Sequence, residues 1–208
     1  MGDAKLWEKA ESSLKEALDE KKISYKINKG DGAFYGPKID FHIKDAIGRS
    51  WQLGTIQLDF QMPERFDLSY EGHDGKKHKP VIIHRTILGS IERFMGILIE
   101  HYAGKFPLWL APEQVRILTV ADRFNDYAEK IVETYKSSGI RISADIRTES
   151  ISYKVRDAQL DKIPYILVVG EKEIKEGLVT VRSSGNVIGS FKKDEFLQRL
   201  LNEFLIPA

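Results

Sequence analysis

Cysteine is absent from all 208 residues, so neither a disulfide nor a thiolate metal site can form within the chain. That absence is neutral as to compartment. An excess of one charge is absent too: 32 basic against 31 acidic residues leave a formal net charge of +1. This excludes a non-specific nucleic-acid binder, which needs a strongly basic surface, but not a protein that reads a few chosen nucleotides. No apolar run approaches membrane-spanning length and no secretory signal follows Met1. The expectation is a cytoplasmic chain with no membrane partner. Repeats and low-complexity segments are also missing. What is present is 42% apolar and 30% charged, ordinary for a globular protein, at a length that fits one large domain or two modest ones.

The first half reads as an α+β unit built on an antiparallel sheet. Leu6, Ala10, Leu14, Ala17 and Leu18 fall between charges over residues 4–22, the pattern of an amphipathic helix. Strands are predicted at 23–28, 38–44, 50–60, 66–71 and 81–83, joined by turns at 29–32 and 46–49 and by a polar hairpin loop at 72–78. Along the 50–60 strand, simple alternation points Gln52 and Gly54 one way and Leu53, Thr55 and Gln57 the other. Trp51, Ile56, Leu58 and Phe60 imply that much of this strand is covered, which favours a site role for its two glutamines.

Pro107 and Pro112 bracket an apolar connector and set the expected boundary, 1–106 before it and 107–208 after. Beyond it strands at 115–120, 140–145, 165–169, 179–182 and 187–191 alternate with helices at 124–137, 151–160 and 193–204. Such a βαβαβ order predicts an α/β unit with a mixed or parallel sheet.

The stretch His84-Arg85-Thr86-Ile87-Leu88-Gly89-Ser90-Ile91-Glu92-Arg93-Phe94 is the most informative. It reads as a strand end, a turn at Gly89-Ser90, and a helix whose apolar stripe is Ile91, Phe94, Met95, Leu98, Ile99 and Tyr102. Arg93 falls in the first turn, where the helix dipole disfavours a cation unless the helix start faces an anion such as a phosphate.

Small residues followed by Glu-Arg at a helix start resemble motif 3 of the class II aminoacyl-tRNA synthetases. The segments Gly30-Asp31-Gly32-Ala33-Phe34-Tyr35-Gly36-Pro37-Lys38-Ile39-Asp40 and Trp51-Gln52-Leu53-Gly54-Thr55-Ile56-Gln57-Leu58-Asp59-Phe60 extend it over nearly the whole chain, in the order and spacing of the threonyl-tRNA synthetases. The resemblance implies the C-terminal part of a class II catalytic domain followed by an anticodon-binding domain. It implies a threonine–tRNA ligase, activating L-threonine with ATP and Mg²⁺ and passing it to the 3′ end of threonine tRNA. Tyr35, Lys38, Gln52, Gln57, Gly89, Ser90 and Arg93 would contact amino acid or ATP, Arg93 and Lys38 in catalytic roles. His84 would be one ligand of a Zn²⁺ whose other two lie elsewhere. Leu53 departs from the Cys that some relatives carry. The family is a homodimer.

In the second half the resemblance maps anticodon reading onto Glu173 and Arg182, and loosely onto Arg147, Thr148 and Ser150. Threonine anticodons share a G and a U; Arg pairs with guanine acceptors and Glu accepts from its N–H donors. The family's motifs 1 and 2 find no counterpart here, so the further expectation is a chain inactive by itself. The rival reading is a non-catalytic tRNA-binding or regulatory module of synthetase ancestry.

Overall fold

The computed structural model of the protein describes residues 4–204 and divides into two compact units, Met1–His101 and Tyr102–Ala208. In the first, helix α1 (Ala4–Glu20) buries Ala10. Strands β1 (Lys38–Lys44), β2 (Ser50–Asp59) and β5 (Ile82–Thr86) form an antiparallel sheet in the order β1-β2-β5. A separate two-stranded ribbon joins β3 (Tyr70–Glu71) to β4 (Lys77–His78), and helix α3 runs from Ile91 to Tyr102.

Several expectations are corrected. Residues 23–28 form no strand: they join no sheet among the described residues, and Ile23 and Ile27 are exposed. The strand expected over 66–71 shrinks to its last two residues. Before it, a short helix, α2 (Gln61–Arg65), was not foreseen; Asp59 caps it, Oδ1 accepting from Gln61 N at 2.8 Å and Met62 N at 3.0 Å. Strand β5 runs on to Thr86, so His84 lies inside it, opposite Gln57, rather than at its end. On α3 the buried residue is Ile97, while Ile91, Met95 and Ile99 of the expected stripe are exposed.

The pairing of β1 with β2 carries a bulge. Phe41 faces Gly54, but the next residue, His42, faces Gln52, leaving Leu53 as the extra residue. One inserted residue reverses the alternation beyond it. Gln52 therefore shares a face with Thr55 and Gln57, not with Gly54 as simple alternation has it.

In the second unit a five-stranded sheet has the order β10-β9-β8-β6-β7. Strands β6 (Val115–Thr119), β7 (Ile142–Asp145) and β8 (Tyr165–Val169) are parallel; β9 (Leu178–Ser183) and β10 (Asn186–Lys192) are antiparallel additions. Helices α4 (Asn125–Ser137) and α7 (Lys193–Phe204) supply Ala128, Ile131, Tyr135, Phe196, Leu197 and Leu200 to a core shared with Val115, Ile117, Leu167, Val169, Val179 and Val181. Helix α5 (Ile151–Leu160) covers the other face through Ala158 against Leu118 and Ile166. Helix α6 (Glu171–Glu176), too short to show a hydrophobic period, ends at Gly177 with φ 68°. No described helix is long and apolar enough to cross a membrane.

Candidate functional site

The polar face of the first sheet is set by two close backbone approaches. A Cβ on Gly36 would lie 1.9 Å from the Leu58 carbonyl oxygen, so only glycine lets the 35–37 segment lie on β2. Phe60 N then donates to Tyr35 O at 3.2 Å and Leu58 N to Pro37 O at 3.1 Å, which fixes Tyr35 beside the strand. Gly89, at φ 64°, comes so near the Leu53 carbonyl that a Cβ would sit 3.1 Å from it.

On that face Tyr35 OH donates to Gln57 Oε1 at 3.1 Å, and the Tyr35 ring meets the His84 ring edge-on, centroids 6.4 Å apart. Lys38, opposite Gln57 on β1, pairs with Asp40 at 2.7 Å. Gln52 Nε2 donates to Asp40 Oδ1 at 2.6 Å and to Thr55 Oγ1 at 3.1 Å; Thr55 Oγ1 donates to Asp40 at 2.8 Å. The face thus gathers Tyr35, Lys38, Gln52, Gln57 and His84. Asp40, Thr55 and Asp59, which the sequence reading left out, tie them together. For two of them the signal was present: Asp40 and Thr55 sit two residues from Lys38 and Gln57, on the same side of their strands.

The carboxylate of Asp40 is pushed up by burial but pulled further down by Lys38, Thr55 and Gln52. Lys38 is raised, chiefly by its hydrogen bond to Asp40 with burial opposing. Lys38 is therefore a fixed cation, suited to an anionic group and not to proton abstraction. Burial likewise raises Asp59, and hydrogen bonds from His84 and the backbone of Met62 and Gln61 outweigh it, leaving it a lowered carboxylate.

Arg93 and Ser90 stand apart. Ser90 Oγ accepts from Arg93 N at 3.2 Å, the helix cap expected of it, and donates to Glu92 at 2.9 Å. The Arg93 guanidinium lies 6.0 Å from the Trp51 ring centroid and makes no ion pair among the described residues. No hydrogen bond among them joins Arg93 to the Tyr35–His84 network.

As a metal ligand His84 is solitary. Its Nε2 lies 3.0 Å from Asp59 Oδ2, and no group of three or more His, Cys, Asp or Glu side chains able to hold an ion occurs among the described residues. The residues present do not form a zinc site by themselves, and no chemical step is routed through one.

In the second unit Glu173 Oε2 accepts from Gly170 N at 3.0 Å and Oε1 from Thr180 Oγ1 at 2.8 Å, so this carboxylate caps α6 and ties it to β9. Arg182, two residues along β9 from Thr180 and on the same face, donates from Nη2 to Gly185 O at 3.0 Å; its buried Nε has no hydrogen-bond partner among the described residues. Glu173 and Arg182 thus border one sheet face. Arg147 is clamped by Asp145 and Asp157, both at 2.6 Å, Thr148 reaches Asp122 at 3.3 Å, and Ser150 caps α5. Beneath these loops Lys154, 2% exposed, donates to Thr119 O at 3.0 Å and Asp145 O at 3.1 Å, the last carbonyls of β6 and β7. It went unnoticed because its place on α5 reads as a surface charge.

Residues 2–102 match the model of the tRNA synthetase class II core domain (G, H, P, S and T), and residues 114–203 that of the anticodon binding domain. The chain is similar to the threonine–tRNA ligase of Carboxydothermus hydrogenoformans, 59% identical over 204 residues that make up 98% of this chain and 32% of that protein. It is 58% identical to the same enzyme of Clostridium botulinum strain Okra over the same shares. The chain therefore spans about a third of the length of the curated relatives it matches. The crystal structure of the RNA binding domain of threonyl-tRNA synthetase from Cryptosporidium parvum Iowa II covers all of this chain with 53% of its own, at 39% identity and a TM-score of 0.90.

Proposed function

Because the chain belongs to the class II aminoacyl-tRNA synthetases, joining class II core sequence to an anticodon-binding domain, we propose that it serves a threonine–tRNA ligase. In this reading the polar face of the first sheet lines the L-threonine and ATP site. The second unit reads the anticodon of threonine tRNA. The observation that carries it is the joining of Tyr35, Gln57 and His84 with Lys38, Asp40 and Gln52 on one face, within a chain 56–59% identical to threonine–tRNA ligases.

Amide, phenol and imidazole groups supply both donors and acceptors to the amine and hydroxyl of a small amino acid. Fixed in charge by Asp40, Lys38 suits the developing anion of an acyl or phosphoryl transfer. Arg93 and the capped start of α3 suit the ATP polyphosphate, which arrives with Mg²⁺. Zinc, where the remaining ligands are supplied, offers a Lewis-acid site for the threonine amine and hydroxyl. A homodimer and a cytoplasmic setting complete the proposal.

The test uses anticodon stem-loops carrying the shared G and U, against loops with either base changed. A bidentate arginine–guanine contact discriminates by about 1–3 kcal/mol. Wild type should prefer the cognate loop, and Arg182→Ala should flatten the preference at G while circular dichroism stays unchanged. Equal binding of all loops by both proteins, differing only with salt, makes Arg182 a phosphate contact and removes the anticodon reading.

A further inference from the structure

Two arginines share the indole of Trp51, and they are held in opposite ways. The Arg49 guanidinium lies 5.3 Å from a Trp51 ring centroid and that of Arg93 6.0 Å. Arg49 is neutralised on both sides: Nε pairs with Asp45 at 2.5 Å and Nη2 with Glu100 of α3 at 2.6 Å. Arg93 makes no ion pair among the described residues, and its neighbour Glu92 accepts instead from Ser90 Oγ at 2.9 Å. The indole itself is fixed. Its Nε1–H donates at 2.9 Å to Oδ2 of Asp45, a side chain 1% exposed. Asp45 Oδ1 accepts from Ile47 N at 3.1 Å and Arg49 N at 2.8 Å, so the same carboxylate closes the turn between β1 and β2. Burial pushes this carboxyl up, but hydrogen bonds from Trp51, Arg49 and the backbone bring it down to about 2, so it remains an acceptor at neutral pH.

Arg93, Ile97 and Glu100, spaced i, i+4 and i+7, line one side of α3, and Ile97 is the residue this helix buries. The hairpin therefore meets α3 twice, at Glu100 through Arg49 and at Arg93 through Trp51. A guanidinium lying over a ring keeps its charge and its N–H donors, whereas a carboxylate partner takes up both. An indole thus holds an arginine in place and leaves it open to an anion. We propose that Trp51 and Asp45 are positioning residues for Arg93: Asp45 fixes the indole, and the indole presents the unpaired guanidinium at the start of α3 to the polyphosphate of ATP. The platform stands on the geometry alone; what Arg93 meets there rests on reading this unit as part of a ligase's ATP site.

The experiment is ¹H–¹⁵N correlation of the arginine Nε–H and tryptophan Nε1–H groups of the full chain, assigned by their loss in Arg93→Lys and Trp51→Phe. In wild type the ring should displace the Arg93 Nε–H upfield of the exposed arginines, and the Trp51 Nε1–H should exchange slowly with water. Inorganic tripolyphosphate is then titrated in, and should move the Arg93 signal further than those of Arg65 and Arg85. Trp51→Leu should abolish the displacement and weaken tripolyphosphate binding about two- to fivefold, the range of an exposed cation–π contact. Trp51→Phe, which keeps a ring, should retain part of both. In Asp45→Asn the amide oxygen still closes the turn but the amide N–H₂ cannot accept from the indole. There the Trp51 Nε1–H should exchange faster and the Arg93 displacement shrink. A wild-type Arg93 at the shift of an exposed arginine overturns the platform without any variant, so the proposal can be refuted even if Trp51→Leu fails to fold. Full displacement in a folded Asp45→Asn removes Asp45 from it. A displaced Arg93 that tripolyphosphate moves no more than Arg65 or Arg85, or equal binding by wild type and folded Trp51→Leu, overturns the polyphosphate role. The anticodon stem-loop assay involves none of these residues, so the ligase reading stands or falls separately.

Discussion

Val115, Ile117, Leu167, Val179 and Val181 of the second sheet are each 0% exposed, whereas Phe41, Ile43 and Ile83 on the apolar face of the first are 42%, 40% and 63% exposed. Both sheets are written in the same alphabet of β-branched and aromatic residues. They differ in cover. The second is enclosed by α4 and α7 on one face and α5 on the other, as a largely parallel sheet requires. In the first, α3 buries only Ile97 and turns Ile91, Met95 and Ile99 outward. Apolar content in a sequence therefore does not certify a core: a strand is buried only where another element supplies the opposing surface. The uncovered unit is also the one whose polar face holds the candidate chemistry, and the covered one holds Glu173 and Arg182 on a rigid platform.

The sharpest way to break this comparison is to cut equivalent side chains from each sheet. Leu167→Ala, in the closed core, should cost about 2–5 kcal/mol of unfolding free energy. Ile83→Ala, on the open face, should fall within about 0.5 kcal/mol of wild type. Chemical denaturation of both variants, followed by the tyrosine and tryptophan fluorescence of each unit, reads this directly. Equal losses would mean that Ile83 is packed in solution.

A smaller effect separates the units by pH. Tyr165 in the second core is pushed up to about 12, first by burial and then by its 2.7 Å hydrogen bond to Glu203. An unfolded tyrosine titrates near about 10. The neutral phenol's contribution is therefore complete below that pH and is lost as pH rises from there through the folded value. Thermal melts between pH 9 and 12 should show the second unit weakening. Tyr165→Phe, with no proton to lose, should weaken less steeply over the same window.

Much of this was legible in the sequence. Long alternating or continuous apolar runs gave β1, β2 and β8, and the cap at Ser90 gave the start of α3. Short or cooperative features were not. The α2 and α6 helices are five and six residues long, less than two turns, and leave no period to detect. Strand-like alternation over 23–28 met no partner strand. The bulge at Leu53 lies in the pairing of two strands rather than in either one, so the face of Gln52 was misassigned. Asp59 was hidden for the same reason: its cap and its histidine come from α2 and β5, and only the fold brings them together. Tyr35, Lys38, Gln52, Gln57 and His84 could be named individually; of the residues that tie them together, Asp40 and Thr55 lay within reach of strand alternation and Asp59 did not.

The most direct measurement is hydrogen exchange on the intact chain, resolved by strand under native conditions. Amides of β6, β8 and β9 should exchange only through opening of the whole second unit, and be the slowest in the protein. Those of β1 and β5, the outer strands of the open sheet, should exchange through local opening and far sooner. Equal protection of β1 and β8, lost together in one cooperative transition, would contradict the account.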